Sequence, residues 1–236
     1  MLDLQKLDTR LAQLDHRSRT LPVLQELSAA QAQSTRADED LVLARTAVAD
    51  VEREITKADQ DVQLVRDRAA RNTARLEAGQ GSAKELQAMQ HELDTLARRQ
   101  SELEDVELEV MERAETLRAE LTELERRRTD LDEKLSGLED EHARAAGEID
   151  TERSAVVAER AQIAPGLGED LLALYEKVRE QHGGLGAAPL IQRRCGGCQL
   201  ELTSSDLSRI RTAPEDEVLR CEECRRILVR TAESGL

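Results

Sequence analysis

Four cysteines carry the chemistry in this sequence: Cys195, Cys198, Cys221 and Cys224. They form two C-x-x-C pairs with 22 residues between them. Zinc takes four ligands tetrahedrally and accepts thiolates readily. A C-x-x-C turn presents two sulfurs to one side of an ion, and two such turns complete the shell. Gly196 and Gly197 read as freeing the backbone for the first turn. Two disulfides or a redox dithiol are the competing uses of such pairs. The start MLDLQKLDTR lacks an apolar leader core, and no apolar run reaches the ~20 residues that span a membrane. A cytoplasmic protein is therefore expected, in a compartment where thiols stay reduced. One structural Zn2+ held by all four cysteines is the resulting expectation.

A catalytic zinc needs an open position, and four thiolates leave none. The nearest histidine to the first pair is His182, which reads as a solvated helix-end residue. His16, His91 and His142 fall on helical stretches as surface or seam residues. No nucleophile triad, phosphate loop or paired-carboxylate pocket can be argued, so no enzymatic activity and no small-molecule substrate are expected.

Strand-like stretches flank the cysteines: LIQRR and QLEL around the first pair, EVLR and RRILVR around the second. The segment SSDLSRIR between them reads as a helix. Two knuckles on two short hairpins make a zinc ribbon over 187–236. Eight arginines gather there: Arg193, Arg194, Arg209, Arg211, Arg220, Arg225, Arg226 and Arg230. They are candidate contacts to phosphate or to a protein partner. Eight acidic residues balance them, and the segment has no aromatic residue for base stacking. A protein partner is thus the first reading and a nucleic acid the second.

The rest of the chain must position this module. It has 236 residues, no Phe, no Trp and one Tyr, with 35% charged residues and a net charge of −15. Such a composition fills narrow seams between helices and cannot build a wide core. The negative charge lies entirely outside 187–236, so nucleic acid would avoid the arms. Leucines at 4, 7, 11 and 14 predict a short helix, 2–17. The phase breaks at RSRTLPV, where Pro22 suits a first helical turn and Thr20 reads as its N-cap. A long helix, about 20–77, follows, with a regular seam from Leu41 through Val51 and Val62 to Ala69. A tip loop, about 78–82, interrupts it. Gly79 and Gly81 mark the stop, and Ser82 with Glu85, flanking Lys84, forms a capping box. These five residues define the hairpin tip as a candidate contact site.

The next helix, about 83–163, keeps one heptad phase from Leu86 and Met89 through Leu131 and Leu138 to Ile149. Polar residues enter its seam at Gln100, Glu107, Arg128 and His142. At 1.5 Å per residue it would extend about 120 Å. Folding at residue 80 pairs residue i with about 160−i, an antiparallel hairpin. A parallel intermolecular coiled coil would need continuous helix through the two glycines. The fold expected is mainly α: a coiled-coil hairpin over 1–164, a short helix and linker over 165–186, with GGLGAAP leading in, and the ribbon.

Two stretches carry a family resemblance. Lys84-Glu85-Leu86-Gln87-Ala88-Met89-Gln90-His91-Glu92-Leu93 is similar to K-E-Y-x-A-L-x-x-E-I, and Cys221-Glu222-Glu223-Cys224-Arg225-Arg226-Ile227-Leu228 is similar to C-x-x-C-G-R-I-L. With the layout, these resemble bacterial C4-type zinc ribbon proteins with a long N-terminal coiled-coil hairpin. Leu86 departs from the family's Tyr and Arg225 from its Gly. The resemblance implies a zinc-binding, non-enzymatic protein. Its members are described as nucleic-acid binders, or as adaptors and chaperones for transcription or secretion machinery.

Overall fold

The structure is a computed structural model describing residues 1–236. Three helices dominate: α1 (Leu2–Arg19), α2 (Pro22–Glu77) and α3 (Ala83–Ile163). A 3₁₀ turn (Ala164–Leu167) and α4 (Glu169–Gln181) lead to β1 (Ala187–Ile191), β2 (Arg194–Cys195), α5 (Ser204–Thr212) and β3 (Ile227–Val229). No helix is long and apolar enough to cross a membrane. The chain divides into two compact units, one of residues 26–138 and one of 1–25 with 139–236.

In the unit 26–138, α2 and α3 form the antiparallel hairpin. Its seam is built of small and medium apolar residues. Ala30, Ala37, Leu41, Val51, Ala58 and Val62 are buried on α2, and Met89, Ala114, Leu131 and Leu138 on α3. Their separations, 4, 7 and 10 residues on α2 and 7, 17 and 25 on α3, are all sums of three- and four-residue steps, as a two-helix seam requires. Ion pairs cross the seam at its edges: Arg45–Glu125 at 3.0 Å, Arg66–Glu104 at 2.6 Å, Arg118–Glu52 at 2.9 Å and Arg128–Asp38 at 2.6 Å, with Arg68–Glu92 and Arg113–Glu54. These partners lie between 160−i and 170−i. The offset from a fold centred on residue 80 is within the reach of long side chains slanting along the seam.

The tip forms by local hydrogen bonding. Gly79 takes a left-handed φ of 62°, and the Gly79 and Gln80 N–H groups return to Leu76 and Arg75 carbonyls at 3.0 and 3.2 Å. The Ser82 N–H donates to Glu85 Oε2 at 2.7 Å, and the Glu85 N–H to Ser82 Oγ at 3.4 Å. Both halves of the capping box are made. The Ser82 backbone and hydroxyl hold the Glu85 carboxyl below the usual carboxylate range.

Two local expectations are corrected. Thr20 does not cap α2. Its hydroxyl and N–H both donate to the His16 carbonyl, at 2.8 and 3.0 Å, so it ends α1. α2 begins at Pro22, so Leu21 and not Thr20 stands at its N-cap position, where its carbonyl accepts from the Leu24 N–H at 3.1 Å. Nor is GGLGAAP, 183–189, a linker throughout. Ala187 and Ala188 are 1% exposed and already belong to β1.

In the other unit the sheet order is β2-β1-β3. β1 is antiparallel to β2 and parallel to β3, with Ala187 opposite Ile227 and Pro189 opposite Val229. QLEL and EVLR, expected as strands, contribute only the single bridges Arg194–Glu201 and Arg220–Ile227. The knuckles consume the residues that full hairpins would need. The ribbon core is Ala188, Leu190, Cys195, Leu202, Leu207, Ile210, Leu219, Cys221 and Leu228.

Candidate metal centre

The two knuckles have the same backbone design. In each, the N–H after the second cysteine closes the turn onto the first cysteine's carbonyl: Gln199 to Cys195 and Arg225 to Cys221, both at 2.8 Å. Closing it this way drives both residues into the left-handed region, Gln199 at φ 65° and Arg225 at φ 59°. The spacing thus explains why glycine would be at ease at position 225, and why Arg225 is strained there.

Gly196 and Gly197 play a different part from the one expected. Neither adopts a positive φ, and the second knuckle makes the same turn with Glu222 and Glu223. The first knuckle needs glycines because it is packed against. A Cβ on Gly196 would sit 2.8 Å from the Pro189 carbonyl oxygen, and one on Gly197 would sit 2.7 Å from Arg226 Cδ.

The turns bring four free thiols together, with all four sulfurs within 4.8 Å of one another. Across the knuckles, Cys195 to Cys224 and Cys198 to Cys221 are each 3.8 Å. A tetrahedron with zinc–sulfur bonds of about 2.3 Å has edges of about 3.8 Å, so the cluster fits the ion. Cys195 and Cys221 are buried in the ribbon core, and Cys198 and Cys224 are half-buried at its edge. Burial pushes the Cys221 thiol up to about 12. Burial also opposes ionisation of Cys224, but hydrogen bonds from the Arg226 backbone and side chain and from the Cys221 and Cys198 thiols outweigh it and bring Cys224 down to about 7. The Gly197 N–H points at Cys195 Sγ from 3.4 Å. Backbone donors of this kind favour the thiolate that a metal needs.

Residues 4–183 match the CT398-like coiled coil hairpin domain, and residues 194–228 match the C4-type zinc ribbon domain. The chain belongs to the CT398-like coiled-coil hairpin family. An uncharacterized Mycobacterium tuberculosis protein is 37% identical over 230 residues, covering 98% of this chain and 94% of its own. A solved Mycobacterium smegmatis structure superposes with a TM-score of 0.86 at 36% identity, over 97% of this chain and 95% of that one. CT398 from Chlamydia trachomatis has the same fold, with a TM-score of 0.71 at 20% identity over 98% and 95% of the two chains. The four cysteines are thus the zinc-binding site of a C4 ribbon.

The eight ribbon arginines divide by what they already hold. Arg230 donates to the Ile210, Ala213 and Pro214 carbonyls at 2.7–3.0 Å and so closes the end of α5. Arg226 donates to Leu185 at 3.0 Å and His182 at 3.5 Å, tying the second knuckle to the segment after α4. Arg220 donates to the Arg225 carbonyl at 2.8 Å. Arg209 and Arg225 both pair with Glu222, at 2.8 and 3.1 Å, and Arg194 lies 3.8 Å from Glu201. Arg193 and Arg211 are exposed and enter none of the ribbon's ion pairs. The arginines therefore do not form one free cationic face. At the tip, Lys84 is exposed beside Glu85, whose carboxylate is occupied by Ser82.

A second polar cluster was not anticipated. The Gln5 carboxamide oxygen accepts from the Gly186 and Ala187 N–H groups at 2.7 and 3.1 Å, while its nitrogen donates to the Gly184 carbonyl at 2.9 Å. One turn on, the Asp8 side chain is 1% exposed and meets Arg160 at 2.7 Å and Arg179 at 3.4 Å. Tyr175 donates its hydroxyl to Asp8 at 2.7 Å. Burial, with the Asp8 carboxylate beside it, pushes the Tyr175 phenol up, so it stays a neutral donor. This joint fixes where β1 begins. The one hint in the sequence was the sole tyrosine, which a helix otherwise lacking aromatics would place at a special contact.

Proposed function

We propose that the protein is a non-enzymatic adaptor whose zinc is structural and whose ribbon docks a protein partner. The observation that supports this most is the closed four-thiolate centre: all four sulfurs are within 4.8 Å, and no other ligand is needed to complete a tetrahedron. A metal used this way holds a surface in shape. A single ion in the cytoplasm, with transcription or secretion components as partners, follows from the same reading and from the family resemblance. The test is recovery of partners from cells by the intact protein and by the Cys221→Ser, Cys224→Ser variant. A partner held by the wild type and lost by the variant is expected. Equal recovery would remove the ribbon as the docking surface.

Arg193 and Arg211 favour a second reading, binding of RNA or DNA, because both are exposed and unpaired. It predicts affinity that falls steeply with salt, and weakening on Arg193→Ala with Arg211→Ala. Arg225 and Arg226 are poorer probes, since Arg226 is engaged in the fold. Affinity that stays flat between low and moderate salt would sink this reading.

A further inference from the structure

Alternation along β1 puts Ala187, Pro189 and Ile191 on one face of the small sheet, and Ala188 and Leu190 on the other. The second face is closed, since Ala188 and Leu190 are 1% and 0% exposed in the ribbon core. The first is closed only at its start. Ala187 packs with Leu4 and Tyr175, whereas Ile191 is 38% exposed. Between α1 and this face lies a groove of about 410 Å³, with Leu2, Leu185 and Pro189 among its apolar walls. That volume falls within the range of pockets that bury a ligand group.

Its charged lining is of one sign. Lys6 and Arg10 are the only charged residues along it, in a chain with 49 acidic and 34 basic side chains. Their own partners are replaceable. Lys6–Asp3 is a 3.2 Å pair with side chains 78% and 71% exposed, and Arg10–Glu152 also lies at the surface. Such pairs contribute little and exchange readily for another carboxylate. The Gln5 side chain at the wall is saturated by Gly184, Gly186 and Ala187. What remains to recognise a partner is an apolar void beside two cations. A second copy of this chain fits poorly, because it has no Phe or Trp to anchor in the void.

We propose that this groove docks an acidic amphipathic segment of a partner protein. The segment seats an apolar side chain against Leu2, Leu185 and Pro189, and its carboxylates exchange onto Lys6 and Arg10. This names a partner class for the adaptor reading and rests on it.

The test places a photo-crosslinking benzoylphenylalanine in the intact protein, inside its own cells, at Gln13 on the groove, at Arg211 on α5 or at Lys84 at the tip. Captured segments are sequenced, then synthesised and titrated by fluorescence anisotropy against the zinc-loaded protein. Gln13 is expected to capture a net-acidic segment bearing apolar residues. Its affinity should fall about tenfold in Lys6→Glu with Arg10→Glu, whose loss of the exposed Asp3 and Glu152 pairs should lower the melting temperature only slightly, and hold in Lys6→Arg with Arg10→Lys. Protein captured at Arg211 but not at Gln13 would overturn the groove and leave the ribbon-docking adaptor reading standing, whereas protein captured at Lys84 alone would overturn both. No protein captured at any position would overturn both. A second copy, a nucleic acid or a basic segment at Gln13, or affinity unchanged by charge reversal, would also overturn the proposal.

Discussion

In the hairpin arms, residues 26–138, the buried positions are repeated small contributions. Alanines and valines such as Ala30, Val51, Ala58, Val62 and Ala114 sit at seam spacing, bordered by exposed arginine–carboxylate pairs. In the ribbon nine buried residues make the core, and two of them are the metal-binding cysteines Cys195 and Cys221. The arms distribute their stability, so losing any one contact removes little. The ribbon concentrates it in one centre and a few buried polar contacts. A small module with so little apolar surface needs such a staple. The contrast also separates tasks, since a surface held by a metal can be shaped with little regard to its own hydrophobicity.

The largest test of this contrast is removal of the metal. A strong chelator, or Cys221→Ser, should unfold the ribbon, because structural zinc in small modules supplies on the order of 10 kcal/mol of folding energy. Amide exchange at Leu190, Leu207 and Leu228 should become fast, while far-ultraviolet circular dichroism, dominated by α2 and α3, changes little. A ribbon that stays protected without metal would break the comparison.

Next comes the buried joint. Asp8→Ala removes the buried one of the two carboxylates that Arg160 and Arg179 share, leaving them Glu176, and leaves the Tyr175 hydroxyl only the longer contact to Gln5 at 3.3 Å. Breaking one side of a buried pair costs about 3 kcal/mol, and Tyr175→Phe about 1 kcal/mol. Chemical denaturation followed by exchange at Ala187 and Leu190 measures both. If Asp8→Ala costs no more than an exposed pair, the joint does not set the position of β1.

A smaller effect has the opposite sign. Arg225 and Gln199 hold left-handed φ values of 59° and 65°. Arg225→Gly and Gln199→Gly should each stabilise the ribbon by about 1 kcal/mol by relieving that conformation. Arg225→Gly also gives up the exposed Glu222 pair, which is worth little. A competition titration against a zinc chelator would register the gain as tighter retention. Looser retention would mean that the Arg225 side chain matters more than its backbone.

The two regions were not equally legible in the sequence. Helix ends at Glu77 and Ala83 followed from glycines and a capping box, because those signals act within a few residues. The heptad phase implies the hairpin, yet large apolar residues mark the seam only from Leu41. The structure continues it upstream through Ala37, Ser34 and Ala30, which hydropathy alone scores as weak. Ala114, fully buried, is inconspicuous for the same reason. The zinc ligands were plain from spacing. The roles of Arg226, Arg230, Gln5 and Asp8 were not, because each acts on a partner distant in sequence. Gly196 and Gly197 suggest backbone freedom in the sequence, but packing against Pro189 and Arg226 is what requires them.

The arms supply the smallest effect. Arg118 reaches Glu52 across the seam at 2.9 Å, but both side chains are 51% exposed. Solvent screens such a pair, and holding two long side chains in one geometry costs entropy. Arg118→Ala should therefore lower hairpin stability by less than about 0.5 kcal/mol, and raising salt should shrink even that. Ala114→Ser, a few residues along the same helix, alters a fully buried contact and should cost more, about 1–2 kcal/mol. Thermal denaturation of the two variants at low and high salt orders them. If Arg118→Ala proved the more damaging, the cross-seam charges rather than the narrow apolar seam would hold the arms together. The arms would then resemble the ribbon, with their stability resting on a few irreplaceable polar contacts.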